Sequence, residues 1–233
     1  MTSENDMSGR LPEQLPGNPL PLARAWFDYA QQAAGLPNPN AMALATLGND
    51  GMPSTRIVLC KDFVVDPGYL VFYTNYQSAK GRAILSNAQV AAVLHWDALG
   101  MQLRLEGHAV KSPASESDAY FASRGWGSQL GAWGSDQSRP VTNRAQLIAQ
   151  IRERATQLGI ELGDDIGSLS ATPAPAIPRP PHWGGFRIWP TALELWRDGA
   201  DRIHDRARWE RRVTQQDEHR FDCGAWTASR LQP

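Results

Sequence analysis

The 233-residue sequence predicts a mainly β fold with peripheral helices, closed as an antiparallel barrel. Three observations predict it. About eight short runs rich in β-branched, aliphatic and aromatic residues follow one another. The turn signals Asn-Asp-Gly at 49–51 and Asp-Pro-Gly at 66–68 set neighbouring runs in hairpin order. Helical periodicity is confined to a few stretches between them. With 42% hydrophobic and 9% aromatic residues the chain can bury one full core. Residues 21–233 are therefore expected to form a single domain behind a flexible polar tail at 1–20.

The first element is a packing helix in "PLARAWFDYAQQAAGL", with Leu22, Trp26, Tyr29 and Ala33 on one face, proline at its start and Gly35 at its end. "AMALATLGNDGMPSTRIVLCK" and "DPGYLVFYT" then read as an antiparallel meander. "SAKGRAILSN" reads as a short helix capped by Ser78. Lys80 falls in its first turn, where free N–H groups and the helix dipole favour an anion, so a lysine is out of place there unless a phosphate joins it. "QVAAVLHW" and "MQLRLEGHAV" are strands; in the second, Met101, Leu103 and Leu105 face the core and Gln102, Arg104 and Glu106 the other way.

"SESDAYFASR" and "NRAQLIAQIRERATQL" read as helices, the latter with Leu147, Ile151, Ala155 and Leu158 in one stripe. Between them "GWGSQLGAWGSDQSRP" reads as an irregular loop able to offer backbone donors and hydroxyls to a ligand. Residues 163–182, which include "SATPAPAIPRPP", read as a stiff Pro-rich spacer. Strands return in "GFRIW", "ALELWRD", "RIHDRARWERR" and "RFDCGAWTASRL".

Lys plus Arg (23) nearly balances Asp plus Glu (24), so no overall basic field points to nucleic acid. No stretch reaches the length of apolar residues a membrane span needs, and the start lacks a signal-peptide core, so a cytoplasmic location is expected. Cys60 and Cys223 are too few for a disulfide framework, and the scattered His95, His108, His182, His204 and His219 lack metal-ligand spacing, so no metal is expected. Local charge is more informative. In "RDGADRIHDRARWERR", a strand over Arg202, His204 and Arg206 would project all three from one side, where they repel unless an anion lies across them. The competing reading is a solvated edge strand whose charges discourage aggregation.

Taken in order, "STRIVLCK", "VFYTNYQSAKGR", "DAYFASR", "GSQLGAW", "DQSRP", "PHWGGFRI", "LELWRDG" and "RIHDRARWERR" resemble the pyridoxine (pyridoxamine) 5'-phosphate oxidase family, from about Asn38 to Pro233. The resemblance implies an FMN-binding split barrel that works as a homodimer with flavin at the subunit interface. It implies oxidation of the 4' position of the B6 vitamers pyridoxine 5'-phosphate and pyridoxamine 5'-phosphate to pyridoxal 5'-phosphate, electrons passing through FMN to O₂ to give H₂O₂. To FMN it assigns Arg56, Ile57, Val58, Leu59, Cys60, Lys61, Tyr73, Thr74, Ala79, Lys80, Gln102, Gln137, Ser138, Trp196 and Arg206. To the substrate phosphate it assigns Lys61, Tyr120, Arg124 and Ser128, and to the pyridine ring Arg202, Ile203 and His204, with Arg202 and His204 the catalytic pair.

Three departures stand out. Ala79 occupies a position where the family usually has arginine, Arg124 is followed by Gly125 and Trp126 in place of a Pro-Arg pair, and the start of the chain supplies only Arg10 of the family's Arg and Tyr lid residues. The alternatives are a phenazine-biosynthesis-type flavin oxidase on the same fold, and a non-catalytic FMN- or pyridoxal-phosphate-binding protein. The intact cluster of Lys61, Tyr120, Arg124, Ser128, Arg202 and His204 argues against the first, because a substrate without phosphate has no use for it.

Overall fold

The computed structural model describes residues 10–162 and 176–233. Within them the order is α1 (Leu20–Gln32), β1 (Ala41–Leu47), β2 (Pro53–Leu59), β3 (Asp62–Val64), β4 (Tyr69–Asn75), α2 (Ala79–Ser86), β5 (Gln89–Trp96) and β6 (Met101–Lys111). There follow α3 (Ala114–Ser123), α4 (Trp126–Gly134), α5 (Arg144–Gln157), β7 (Trp183–Arg197), β8 (Asp205–Glu210), β9 (Val213–Gln215), β10 (Phe221–Cys223) and β11 (Thr227–Leu231). A nine-stranded antiparallel sheet runs β11-β8-β7-β6-β5-β1-β2, with β4 pairing both β7 and β3, while β9 and β10 form a separate hairpin. This curled sheet is the split barrel.

Strict alternation makes the barrel. β1 buries Met42, Leu44 and Thr46, β5 buries Val90, Ala92, Leu94 and Trp96, and β6 buries Met101, Leu103 and Leu105, every second residue in each case. The core they share is roofed by α1, whose buried residues are Leu20, Ala23, Trp26, Phe27 and Ala30. That face is rotated from the expected one: Tyr29 is 38% exposed and Ala33 already lies past the helix end. The helix turns Trp26 and Phe27 inward together, since two large aromatics bury more area than the stripe through Tyr29.

The expected meander from 41 to 75 is two hairpins instead. β1 lies between β2 and β5, while β4 leaves for β7. The expected "GFRIW" and "ALELWRD" are one continuous strand of 15 residues. Pro190 does not break it, because the register with β6 shifts at Glu106/Gly107 and the extra residue bulges out, Thr191 donating through Oγ1 to the Glu106 carbonyl. The bulge bends β7, so its first half pairs with β4 and its second half with β8.

"GWGSQLGAWGSDQSRP" is not irregular throughout; α4 occupies its first part. Packing overrides the weak propensity of its glycines. Gln129 is buried and its Nε2 donates to the carbonyls of Phe121, Ala122 and Arg124 at 2.9–3.3 Å, closing the end of α3. Gly134 lies so close to α5 that a Cβ would come 2.6 Å from Ile151 Cγ1. Together α3, α4 and α5 form a second, smaller core of Phe121, Leu130, Ala155, Ile160, Ile177 and Trp183.

Of the expected tail, residues 1–9 lie outside the described residues. From Leu11 the segment is packed: Leu11 is buried, its N–H donates to Asp205 at 2.7 Å, and Trp209 Nε1 donates to the Pro16 carbonyl at 2.7 Å. Of the expected spacer, 163–175 lie outside the described residues. The remainder is tied down by Ile177 in the second core, by Trp133 Nε1 donating to the Pro178 carbonyl, and by Arg179 paired to Asp118. Among the described residues no helix is long and apolar enough to cross a membrane.

Candidate active site

α2 begins where the sequence places it. Ser78 Oγ accepts from the Gly81 N–H at 3.2 Å, and Gly81 sits where a Cβ would lie 2.3 Å from the Tyr76 carbonyl oxygen, so the β4–α2 turn closes tightly. Lys80 projects from the first helical turn and donates to Gln137 Oε1 at 2.8 Å, which also accepts from Thr74 Oγ1 at 3.2 Å. Burial, reinforced by nearby Arg56, brings the Lys80 ammonium down to about 8. Two cations and the positive end of a helix meet here.

Lys80 lines a cleft of about 670 Å³ between the barrel and the small core. The cleft collects Ile57, Val58 and Leu59 of β2, Lys61 from the connection after it, Tyr73 and Thr74 of β4, Tyr120 of α3, Arg124, Ser128 of α4, and Gln137. Lys61 reaches it because β2 stops at Leu59. The Cys60 N–H then donates to the Asn40 carbonyl and the Lys61 N–H to the Val71 carbonyl, so the chain crosses from β1 to β4 and strand alternation no longer governs. No lining residue is Asp or Glu.

Tyr73 and Tyr120 stack at 3.9 Å, and Trp183 lies parallel to both at 5.5 and 6.2 Å. The Arg124 guanidinium sits 4.7 Å over the Trp183 ring, and its buried Nη1 has no hydrogen-bond partner. Burial lowers the Arg124 pKa. A cation that has given up water without finding an acceptor is built to meet an anion. Burial also pushes the Tyr73 phenol far up, with Glu116 adding to the effect, so Tyr73 is neutral.

Not every expected residue lines the cleft. Arg56 turns to β1, donating to the Leu44 carbonyl and to Thr46 Oγ1. The Cys60 side chain is buried in the core, where desolvation pushes its thiol up to about 12, so only its backbone is available to a ligand. Ala79 lies on the other side of α2, in a groove with Arg82 and the 48–50 turn, and Ser138 follows the lining residue Gln137 with φ 70°. Sequence reasoning missed Asn75, Ser135 and Trp183. For Trp183 a signal existed in "HWGGF": a Cβ at Gly184 would lie 2.1 Å from Tyr76 Oη, so these glycines let β7 pass close enough to place the indole.

Three further expected residues form a second group on the half-buried outer face of β6, β7 and β8, with His204 beside them. Gln102, Trp196 and Arg206 lie directly opposite one another across three strands, behind the core row Leu103, Leu195 and Ala207. The His204 ring packs 4.7 Å from Trp196, with Nδ1 3.1 Å from Asp198 Oδ1 and 3.3 Å from the Gly199 nitrogen.

The expected single strand face of Arg202, His204 and Arg206 is not formed. Pairing with β7 begins only at Asp205, opposite Arg197, so Arg202, Ile203 and His204 belong to the reversing loop. Asp201 and Arg202 take φ of 56° and 63° to make that reversal, strain on the order of 1 kcal/mol each. Arg202 and Ile203 stand exposed at its tip, and Ile203 lines a smaller cleft with Arg10, Arg197 and Asp205.

The family model described as pyridoxamine 5'-phosphate oxidase matches residues 30–157, and the model described as the pyridoxine 5'-phosphate oxidase C-terminal dimerisation region matches 183–233. The chain belongs to the pyridoxamine 5'-phosphate oxidase family. Members of this family are FMN-dependent oxidoreductases. A pyridoxine/pyridoxamine 5'-phosphate oxidase of Roseobacter denitrificans is 43% identical over 93% of this chain and 94% of its own. One of Gloeothece citriformis is 47% identical over 81% and 80%. Among solved structures, PhzG from Burkholderia lata 383, in complex with tetrahydrophenazine-1-carboxylic acid, superposes with a TM-score of 0.74 at 28% identity, covering 97% of this chain and all of that one. The residues present fit the flavin of the pyridoxamine 5'-phosphate oxidase family. A phosphate suits Lys80 at the start of α2, and the orphaned Arg124 nitrogen leaves a second anion position in the same cleft.

Proposed function

We propose that the chain oxidises pyridoxine 5'-phosphate and pyridoxamine 5'-phosphate to pyridoxal 5'-phosphate, with O₂ as acceptor and H₂O₂ as product. One observation carries the reading: a single cleft free of carboxylates presents two separate cationic ends, Lys80 on a helix start and Arg124 with an unpartnered buried nitrogen. That suits two phosphate-bearing molecules side by side. Lys80, Thr74, Gln137 and the β2 backbone would hold FMN, with Gln102, Trp196 and Arg206. Bound FMN supplies a two-electron acceptor that O₂ reoxidises.

Arg124, Lys61, Tyr120 and Ser128 would bind the substrate phosphate, and the wall of Tyr73, Tyr120 and Trp183 excludes water from one side of the ring. Arg202 and His204 orient the pyridine. With His204 Nδ1–H donated to Asp198 Oδ1 at 3.1 Å, Nε2 is the nitrogen left to take a proton from the substrate.

The two groups of residues are best joined across a homodimer with FMN at the interface. Ile57 (64% exposed) and Leu59 (37%) on the outermost strand β2 put apolar surface at the cleft mouth, as an interface needs. A cytoplasmic location suits the two free cysteines.

The test is anaerobic mixing of FMN-loaded protein with pyridoxine 5'-phosphate, which should bleach the flavin absorbance at a rate matching turnover. Pyridoxine without phosphate should bleach it at least ~100-fold more slowly at equal concentration, given a charged contact of about 3 kcal/mol. Equal rates for the two would move the reading to an oxidase of unphosphorylated substrates, in keeping with the likeness to PhzG, whose bound tetrahydrophenazine-1-carboxylic acid carries no phosphate. No bleaching by either would leave a binding protein.

A further inference from the structure

We propose that Glu194 is a positioning residue that holds Arg206 in the one orientation from which it meets the flavin; this rests on the reading that Arg206 faces FMN. Glu194 is 2% exposed, although it lies on the outer face of β7 and not in the core row. Its Oε1 accepts from Arg206 Nε at 3.0 Å and Nη2 at 2.8 Å, and its Oε2 accepts from Arg104 Nη1 at 3.1 Å. Arg206 Nη1 also donates to the Gln232 carbonyl at 3.0 Å. Three of the five guanidinium N–H groups are thus committed, leaving one on each terminal nitrogen for a ligand.

A buried ion pair is poor evidence of stability, because desolvating both partners consumes most of the attraction. What this arrangement does supply is order. Without a carboxylate between them, Arg104 and Arg206 on strands either side of β7 would repel, and Arg206 would regain the rotamer freedom of a long side chain. It would then leave the row it shares with Gln102 and Trp196.

The experiment is FMN titration of the apoprotein, followed by quenching of flavin fluorescence, on a double-mutant cycle of Glu194→Gln and Arg206→Ala, with thermal melting of each apoprotein alongside. Glu194→Gln should weaken FMN binding on the order of tenfold, the loss expected when a charge-assisted contact is misplaced. In the Arg206→Ala background the same substitution should have no further effect on FMN affinity. A Glu194→Gln loss of equal size in both backgrounds, or none in the wild-type background, overturns the proposal. An Arg206→Ala variant that binds FMN as tightly as wild type overturns the underlying assignment of Arg206, and the proposal with it. If Glu194→Gln does not fold, Glu194→Asp runs the same cycle, since shortening the side chain draws the carboxylate off Arg206 while keeping its charge.

Discussion

Raising the pH from about 7.5 to about 9.0 should weaken FMN binding to the apoprotein by up to about 8-fold, through Lys80 alone. Burial and Arg56 bring this ammonium down to about 8 from the ordinary 10.5. The sign follows from which form the fold disfavours. A depressed pKa means that the unliganded protein releases the proton as pH rises through about 8, whereas a phosphate dianion beside the amine restores the ordinary value. Binding above that pH must therefore take up a proton, and affinity falls by as much as tenfold per pH unit until the liganded group itself titrates. With a pKa of about 8, the protonated fraction drops from about 0.76 to about 0.09 across the window, a ratio of about 8. Partial exposure of Lys80 makes this an upper bound. Fluorescence titration of apoprotein at several pH values measures it, with Lys80→Arg as control, since a guanidinium keeps its proton throughout. A flat wild-type profile, or an equal slope in Lys80→Arg, would refute the assignment of Lys80 to the flavin phosphate.

Other consequences follow from the same geometry. Ala79→Arg, at the first position of α2, should tighten FMN binding about tenfold, because an arginine is long enough to reach round the helix start from the Arg82 groove to the phosphate at Lys80; unchanged affinity would mean that Arg82, which donates back to the Gln77 carbonyl, already serves. Arg124→Ala should raise KM for the phosphorylated substrate at least ~10-fold while leaving FMN affinity alone, and a loss of flavin instead would exchange the two anion positions. Arg202→Ala should cut turnover with excess FMN present yet retain flavin, because it stands on a loop apart from the row containing Arg206; flavin loss with normal turnover on resupply would reverse that assignment. Gln129→Ala should cost about 1–3 kcal/mol, seen as a lower melting temperature, by orphaning the carbonyls at the end of α3; an unchanged melting temperature would show that water replaces the amide.

Much of the fold was legible because its signals are local. Alternation in β1, β5 and β6, the Asn-Asp-Gly turn with Gly51 at φ 76°, and the cap of α2 by Ser78 each depend on neighbours within a few residues. Lys80 at the head of α2 was legible as an anion contact for the same reason. Local signals misled where distant packing outweighed them. Glycines in α4 suggested a loop until Gln129 and Ile151 were in place, and Pro190 suggested a strand break that the bulge against Glu106 absorbs.

The sequence by itself determined the family, the strand-rich class and the chemical types at the site, since motif order and residue identity need no coordinates. The tertiary structure decided which of those residues meet. It put Lys61 into the cleft by ending β2 at Leu59, and it took Arg202 and His204 off the strand by starting β8 at Asp205. It set Glu194 against Arg206 and Arg104, and it left Arg124 resting on Trp183 with a nitrogen unanswered. Each of these depends on where pairing begins between strands far apart in the chain. That point is set by burying the shared core row in register, and it is not encoded in any one segment.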